Sequence, residues 1–235
     1  MEIKIVKRIL AANDAVAEEN RRAFSGAGVY VVNVMSSPGA GKTSLLERTL
    51  ESLSGAARAA VIEGDIRTTM DAERLERFGV PIVQINTEPF GGECHLDAPM
   101  VRGALESLPL AELDVLFIEN VGNLVCPAEF DVGADECVVV ASVTEGEDKP
   151  LKYPLMFRVC DAVVINKTDL VEVLEFPLVR LRENIMTVNP AAEIFELSAR
   201  TGDGVQTWTN HIRSGIKRKK TGDRSRPPEN DRETG

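Results

Sequence analysis

The chain has 235 residues, 43% of them hydrophobic, which is enough for one sizeable core, and no apolar stretch reaches the length of a membrane span. A net charge of −10 argues against nucleic acid as a main partner, and four cysteines with two histidines build no disulfide framework. No signal-peptide pattern is present, so the expectation is a soluble domain in the reducing cytoplasm, off the membrane.

Ile5, Val6, Ile9, Leu10, Asn13, Val16 and Ala17 recur at helical spacing and predict a long helix over residues 1–25. The apolar run 29–35 then reads as a buried strand, and Leu45, Leu46, Leu50 and Leu53 as one face of a helix. Between them stand Ser36, Ser37, Pro38, Gly39, Ala40, Gly41, Lys42, Thr43 and Ser44. A strand, a glycine turn and a helix in that order make a phosphate cradle. The turn frees backbone N–H groups to wrap a phosphate, and the helix N-terminus adds partial positive charge. Lys42 is positioned to reach the terminal phosphates and Thr43 to hold Mg²⁺. Ser36 replaces the first glycine of the usual motif.

Further apolar runs at 59–62, 81–85, 114–118, 137–140, 162–165 and 194–197 read as strands, several near-continuous as expected when both sheet faces are covered. Helical stripes lie between them. One is Met100, Val101, Ala104, Leu105 and Leu108, entered through Asp97 as cap with Pro99 in the first turn. Another is Val205, Trp208, Ile212 and Ile216, with Trp208 as core and His211 at the surface. The predicted fold is α/β, a doubly wound, mostly parallel sheet of P-loop NTPase type with an N-terminal helix. Residues 26–216 form the nucleotide domain. The last segment, 217–235, opens on the basic cluster Lys217, Arg218, Lys219 and Lys220, carries almost no apolar residue and reads as a disordered tail.

Polar residues close several strands. Glu63, Gly64 and Asp65 end one and lead into a mobile stretch at Ile66, Arg67, Thr68 and Thr69. Glu119 ends another, with Gly122 three residues on; Ras-like GTPases usually read Asp-x-x-Gly there. Asp65 and Glu119 are therefore the expected Mg²⁺-side carboxylates beside Lys42. No glutamine stands where an attacking water is usually positioned, which predicts slow hydrolysis and a switch. Asn166, Lys167, Thr168 and Asp169 follow the 162–165 strand. An ionised aspartate only accepts hydrogen bonds. Asp169 thus suits the N1–H and N2–H of guanine and repels the N1 lone pair of adenine. Lys167 can lie over the base, Asn166 can tie this loop to the phosphate loop, and Ser198 and Ala199 fit the last guanine-contact loop. The expected ligand is GTP.

Cys94 and His95 occupy a polar loop at 91–97 containing Gly91 and Gly92, and Cys126 follows the Glu119 strand. Thiolate and imidazole suit Zn²⁺ or Ni²⁺. Three donors leave a tetrahedral site one short, and a two-fold dimer could complete it. Cys137 lies within a strand and Cys160 just before one, and both read as buried apolar residues.

These segments occur here in one order: the Ser-Ser-Pro-Gly-x-Gly-Lys-Thr loop, Glu63-Gly64-Asp65, Cys94-His95-Leu96, the run from Glu119 through Pro127, and Asn166-Lys167-Thr168-Asp169. Together they closely resemble the HypB family, SIMIBI-class GTPases that help load nickel into [NiFe]-hydrogenase, over roughly residues 1–216. The resemblance implies a metallochaperone whose GTP state drives homodimerisation and whose interface Cys94, His95 and Cys126 hold Ni²⁺ or Zn²⁺. It also implies a HypA-like zinc protein and the hydrogenase large subunit as partners. No N-terminal Cys-x-x-Cys-Gly-Cys segment or histidine-rich stretch is present, so nickel storage there is not expected. The urease GTPase UreG is similar but carries Cys-Pro-His, whereas Cys94 and His95 are adjacent. A cobalamin-enzyme chaperone GTPase shares the phosphate loop without needing the Cys/His set. A nucleotide-dependent scaffold with structural zinc is the reading from another class, and a small-molecule kinase fits least well.

Overall fold

The computed structural model describes residues 2–65, 69–88 and 94–222, with side chains from residue 9 onward. The stretch expected to be mobile at Ile66, Arg67 and Thr68, the loop glycines Gly91 and Gly92, and residues 223–235 of the expected tail lie outside the described residues.

In chain order the elements are α1 (Glu2–Ala27), β1 (Tyr30–Ser36), α2 (Lys42–Leu53), β2 (Ala59–Asp65), α3 (Met70–Glu76), β3 (Ile82–Asn86) and α4 (Ala98–Leu105). They continue as β4 (Val115–Glu119), β5 (Glu136–Ser142), α5 (Lys149–Lys152), α6 (Pro154–Arg158), β6 (Ala162–Asn166), α7 (Leu178–Val188), β7 (Glu193–Glu196) and α8 (Val205–Thr221). Every apolar run read as a strand is one. The seven strands form a single sheet in the order β3-β2-β4-β1-β5-β6-β7, with all pairs parallel. The central strands β1, β4, β5 and β6 are buried along their whole length, while the edge strands β3 and β7 are partly exposed. That is why the central runs are continuously apolar.

Alternate side chains serve the two faces of the sheet. Val32, Val34, Phe117 and Val138 pack with Leu45 and Leu46 of α2 and Trp208 and Ile212 of α8. Trp208 is fully buried and its indole N–H donates to Thr49 Oγ1 at 2.9 Å, which satisfies the one polar group such a residue brings inside. On the opposite face Val31, Ile62, Leu116 and Ile118 pack with Phe24 of α1 and Val101 of α4, and Val139 and Val163 with Phe157, Leu181 and Ile185. Asp97 caps α4 as expected, accepting from the Met100 amide at 2.8 Å.

The long helix expected at the start is α1, whose buried stripe runs through Asn13, Ala17, Asn20 and Phe24, whereas Ile9 is exposed. Two expectations need correction. The basic cluster does not open a tail: α8 continues to Thr221 and stops where Gly222 turns to φ 65°. Lys219 pairs with Asp135 and Lys220 with Asp114, each at 2.6 Å, and cations are favoured in a last helical turn. His211 is not a surface residue. Its Nε2 lies 2.6 Å from the buried Glu136 carboxylate, which also accepts from the Tyr30 hydroxyl. Burial alone lowers the His211 pKa, but the bond to Glu136 and the nearby Glu193 outweigh it and raise it.

Candidate nucleotide site and metal-donor cluster

The carboxyl ends of β1, β2, β4, β6 and β7 deliver all the expected nucleotide residues to one rim, around the point where the chain crosses from one half of the sheet to the other. The phosphate loop leaves β1 at Ser36 and enters α2 at Lys42. Gly39 and Gly41 adopt φ 77° and 102°, a region that side chains disfavour. Gly41 is needed for space as well, since a Cβ there would stand 2.4 Å from Asn166 Nδ2. Ser36 departs from the motif without penalty because it remains in β1, in a conformation that needs no glycine, and its hydroxyl accepts from Lys42 Nζ at 3.1 Å. Ala40 is buried, and Ser44 lines the mouth of the adjoining cleft.

The two carboxylates assigned to Mg²⁺ have different neighbours. Thr43 Oγ1 donates to Glu119 at 2.8 Å, which brings these two side chains together. Asp65 instead clusters with Glu63 and Asp71, their carboxylate oxygens lying within 4.8 Å of one another. Glu63 and Asp71 carried no role in the sequence reading. The signal for Glu63 was its place two residues before Asp65, which puts both on one face of β2, and it sits opposite Glu119 in the β2–β4 register. Burial, then the charges of Glu119, Asp65 and Asp71, push the Glu63 carboxyl up to about 8. Burial likewise raises Glu119 to about 7 against the pull of Lys42 and Thr43. One oxygen of each, Glu63 Oε2 and Glu119 Oε2, is buried with no hydrogen-bond partner among the described residues. A hard dication with oxygen ligands fits these unpartnered carboxyl oxygens, whose ionised form it would favour.

On the base side, Asn166 Nδ2 donates to Ala40 O at 3.0 Å, and its Oδ1 accepts from the amides of Lys167 and Ala199. One side chain therefore holds three loops in register. Lys167 adopts φ 62° and reaches Gly39 O at 2.7 Å. Ser198 Oγ donates to Asp169 Oδ1 at 2.6 Å and accepts from the Thr201 amide. Arg48, missed in the sequence, donates to the carbonyls of Ala199 and Arg200, at 2.8 and 2.9 Å. Asn166, Lys167, Asp169 and Ala199 line an open cleft of about 750 Å³ with Gly41 and Ser44.

Cys94, His95 and Cys126 converge, with one donor atom from each within 4.8 Å of the others and the two Sγ atoms 2.7 Å apart. The cysteines are half-buried and His95 is buried, its ring stacked on Phe130 at 3.9 Å. The hydrogen bond with Cys94, then burial, push the Cys126 thiol up to about 11. Cys137 and Cys160 are buried in the core, and burial raises the Cys160 thiol far above its ordinary value. Two soft donors and an imidazole suit Zn²⁺ or Ni²⁺ and leave a coordination position open.

The two sites share a wall. Asn120, next to Glu119, accepts at Oδ1 from the amides of Leu96 and Val121, each at 2.9 Å, and donates to Asn33 Oδ1 at 3.3 Å. Leu96 in turn covers Gly64, where a Cβ would stand 2.7 Å from it. Gly122 lies against Pro38 of the phosphate loop, where a Cβ would come within 3.1 Å of the Pro38 Cα. The strand ends at the phosphate loop thus touch the loops that carry Cys94, His95 and Cys126.

The nucleotide-binding domain described as CobW/HypB/UreG matches residues 30–196. Over 206 residues the chain is 52% identical to the hydrogenase maturation factor HypB of Azotobacter vinelandii, an alignment covering 88% of this chain and 67% of that one. The crystal structure of HypB from Archaeoglobus fulgidus superposes with a TM-score of 0.81 at 40% identity, covering 88% of this chain and 99% of that one. A HypB from Helicobacter pylori, solved in complex with nickel, superposes with a TM-score of 0.83 at 40% identity, covering 92% and 99%.

Proposed function

The chain belongs to the CobW/HypB/UreG family as a HypB hydrogenase maturation factor, and from that premise we propose that it is a slow GTPase and metallochaperone that delivers nickel to [NiFe]-hydrogenase. In this reading it acts in the cytoplasm, dimerises with itself when GTP is bound, and carries Ni²⁺ or Zn²⁺ on Cys94, His95 and Cys126 at the dimer interface. A HypA-like zinc protein and the hydrogenase large subunit are its proposed partners. The observation that carries the reading is the shared wall: Asn120 and Gly64 tie the metal-donor loop to the strands bearing Glu119 and Glu63.

For the nucleotide, Asp169 accepts from guanine, and Lys42 turns from Ser36 to the β and γ phosphates. Thr43, Glu119, Asp65, Glu63 and Asp71 are the oxygen donors available to Mg²⁺, which when bound neutralises charge developing on the transferred phosphoryl group. Lys42→Ala removes the cation that meets those phosphates and should abolish turnover. Metal is cargo here. Each thiol must give up its proton to bind it, so affinity should fall as pH drops.

The test is reciprocal. If GTP strengthens Ni²⁺ binding by some factor, Ni²⁺ must strengthen GTP binding by the same factor. Both couplings should be measured in one buffer with a non-hydrolysable GTP analogue and with GDP, alongside sedimentation in each state. Cys94→Ala or Cys126→Ala should remove most metal binding, and Cys137→Ala should not. Metal bound equally tightly in both nucleotide states, with no change in oligomer, would favour a zinc-stapled scaffold.

A further inference from the structure

Helix α1 grips both chain segments that carry the metal donors. Asn13 and Asn20 are buried on the face of α1 that meets the domain, seven residues apart and so on one stripe. Asn13 Oδ1 accepts from the Ala98 amide at 2.9 Å, three residues beyond His95, while its Nδ2 donates to Asp131 O at 2.9 Å. Asn20 Nδ2 donates to Ala98 O at 3.0 Å and to Val132 O at 3.2 Å. Each asparagine therefore spans the two segments, 94–98 with Cys94 and His95, and 126–133 with Cys126 and the Phe130 ring that stacks on His95. Arg21 adds an ion pair to Asp131 at 2.7 Å. Gly133 completes the contact: it adopts φ 85°, and a Cβ there would stand 2.4 Å from Ala17 O and 2.9 Å from Asn20 Cβ.

An apolar helix face would have sufficed to bury α1. Two asparagines inside a core are costly, the more so as Asn20 Oδ1 has no hydrogen-bond partner among the described residues, and the bonds their amides do make fix distance and direction where methyl groups would not. We propose that Asn13 and Asn20 are positioning residues for the Cys94, His95 and Cys126 site, holding the two donor-bearing segments at one spacing so that the seating of α1 sets metal affinity. The inference rests on the cargo reading of those three residues. It extends that reading to a helix that contributes no donor.

The experiment uses the full chain with Asn13→Leu, Asn20→Leu and, as a control for general destabilisation, Ile216→Val in the α8 core. Two quantities are read: Ni²⁺ and Zn²⁺ affinity by competition with a chelator, and the rate at which diamide closes a Cys94–Cys126 disulfide in metal-free protein. Diamide takes up the two hydrogens that the thiols lose, so this rate reports sulfur spacing without any metal. Loss of groups that orient ligands typically costs 10–100-fold in affinity, and a drop of roughly tenfold or more is expected for each asparagine variant. The coupling rate should change in both, with Ile216→Val at the wild-type value in both measurements. Wild-type affinity and coupling rate in the asparagine variants would overturn the proposal, as would equal losses in Ile216→Val. A wild-type protein that binds neither metal, with coupling rates still altered in the asparagine variants, would refute the cargo reading and leave the positioning role standing. Asn13→Asp, which keeps the acceptor for Ala98 and loses the donor to Asp131, should fall between the two.

Discussion

Asp169 illustrates how much a single group decides and how much it is itself held. Its carboxylate only accepts hydrogen bonds, and Ser198 and Arg200 approach it at 2.6 and 3.6 Å, fixing its orientation before a base arrives. Sites built to hydrogen-bond a given edge reject analogues lacking it by about 10⁴-fold or more. GDP should therefore displace a fluorescent guanine nucleotide where ADP does not. Asp169→Asn places a donor where the acceptor stood, and should turn the preference from GDP to XDP. An Asp169→Asn protein that still prefers GDP would remove the guanine assignment. Ser198→Ala should weaken GDP binding without changing the preferred base, because it frees the carboxylate's orientation and leaves its chemistry intact.

Among the elements, strand β2 shows why one side of the site was legible and the other was not. Its apolar run and terminal Asp65 announce a strand ending at a site, and the phosphate loop and Asn166–Asp169 segment announce themselves equally, because each local conformation demands particular residue types. Contacts made across the fold carry no such signature. Asp71 reaches the carboxylate cluster from the first turn of α3, Arg48 reaches the Ser198–Ala199 loop from α2, and His211 is drawn inward by Glu136. None of these pairings follows from spacing along the chain. Gly64 is an intermediate case, a glycine inside a strand whose reason appears only when Leu96 is seen above it. Gly64→Ala should force that buried leucine aside and cost about 1–3 kcal/mol in urea unfolding, as overpacking does. Leu96→Val should return part of that loss in the double variant. Additive losses would mean that the strand and the loop carrying Cys94 and His95 are not in register through this contact.

For the whole molecule, the carboxylates on the sheet rim set a pH dependence opposite to that of an ordinary acid-labile domain. The folded pKa of Glu63, about 8, and of Glu119, about 7, stand above the ordinary 4.5 of a glutamate, so the native state binds more protons than the unfolded one between those values. Their contribution is fully present below pH 4.5 and is lost as pH rises through 7 and 8. The raised pKa of His211 acts in the same direction at and above its ordinary value of 6.5. Asp114 opposes them at lower pH: burial alone would raise its pKa, but the Arg58 amide, Lys220 and the Arg58 guanidinium hold it at about 2. Its contribution is lost only as pH falls from 3.8 towards 2, outside that window. The thermal midpoint of the nucleotide-free protein in a chelating buffer should therefore fall steadily from pH 5 to pH 8.5. Glu63→Gln should flatten that slope, since an amide supplies the neutral form at every pH. Saturating Mg²⁺ and a non-hydrolysable GTP analogue should flatten or reverse it, because a dication favours the ionised carboxylates that burial disfavours. A midpoint that is constant or rises across that range in the nucleotide-free protein would mean that the rim carboxylates already find their counter-charge within the chain, and the argument for a cation there would lose its electrostatic basis.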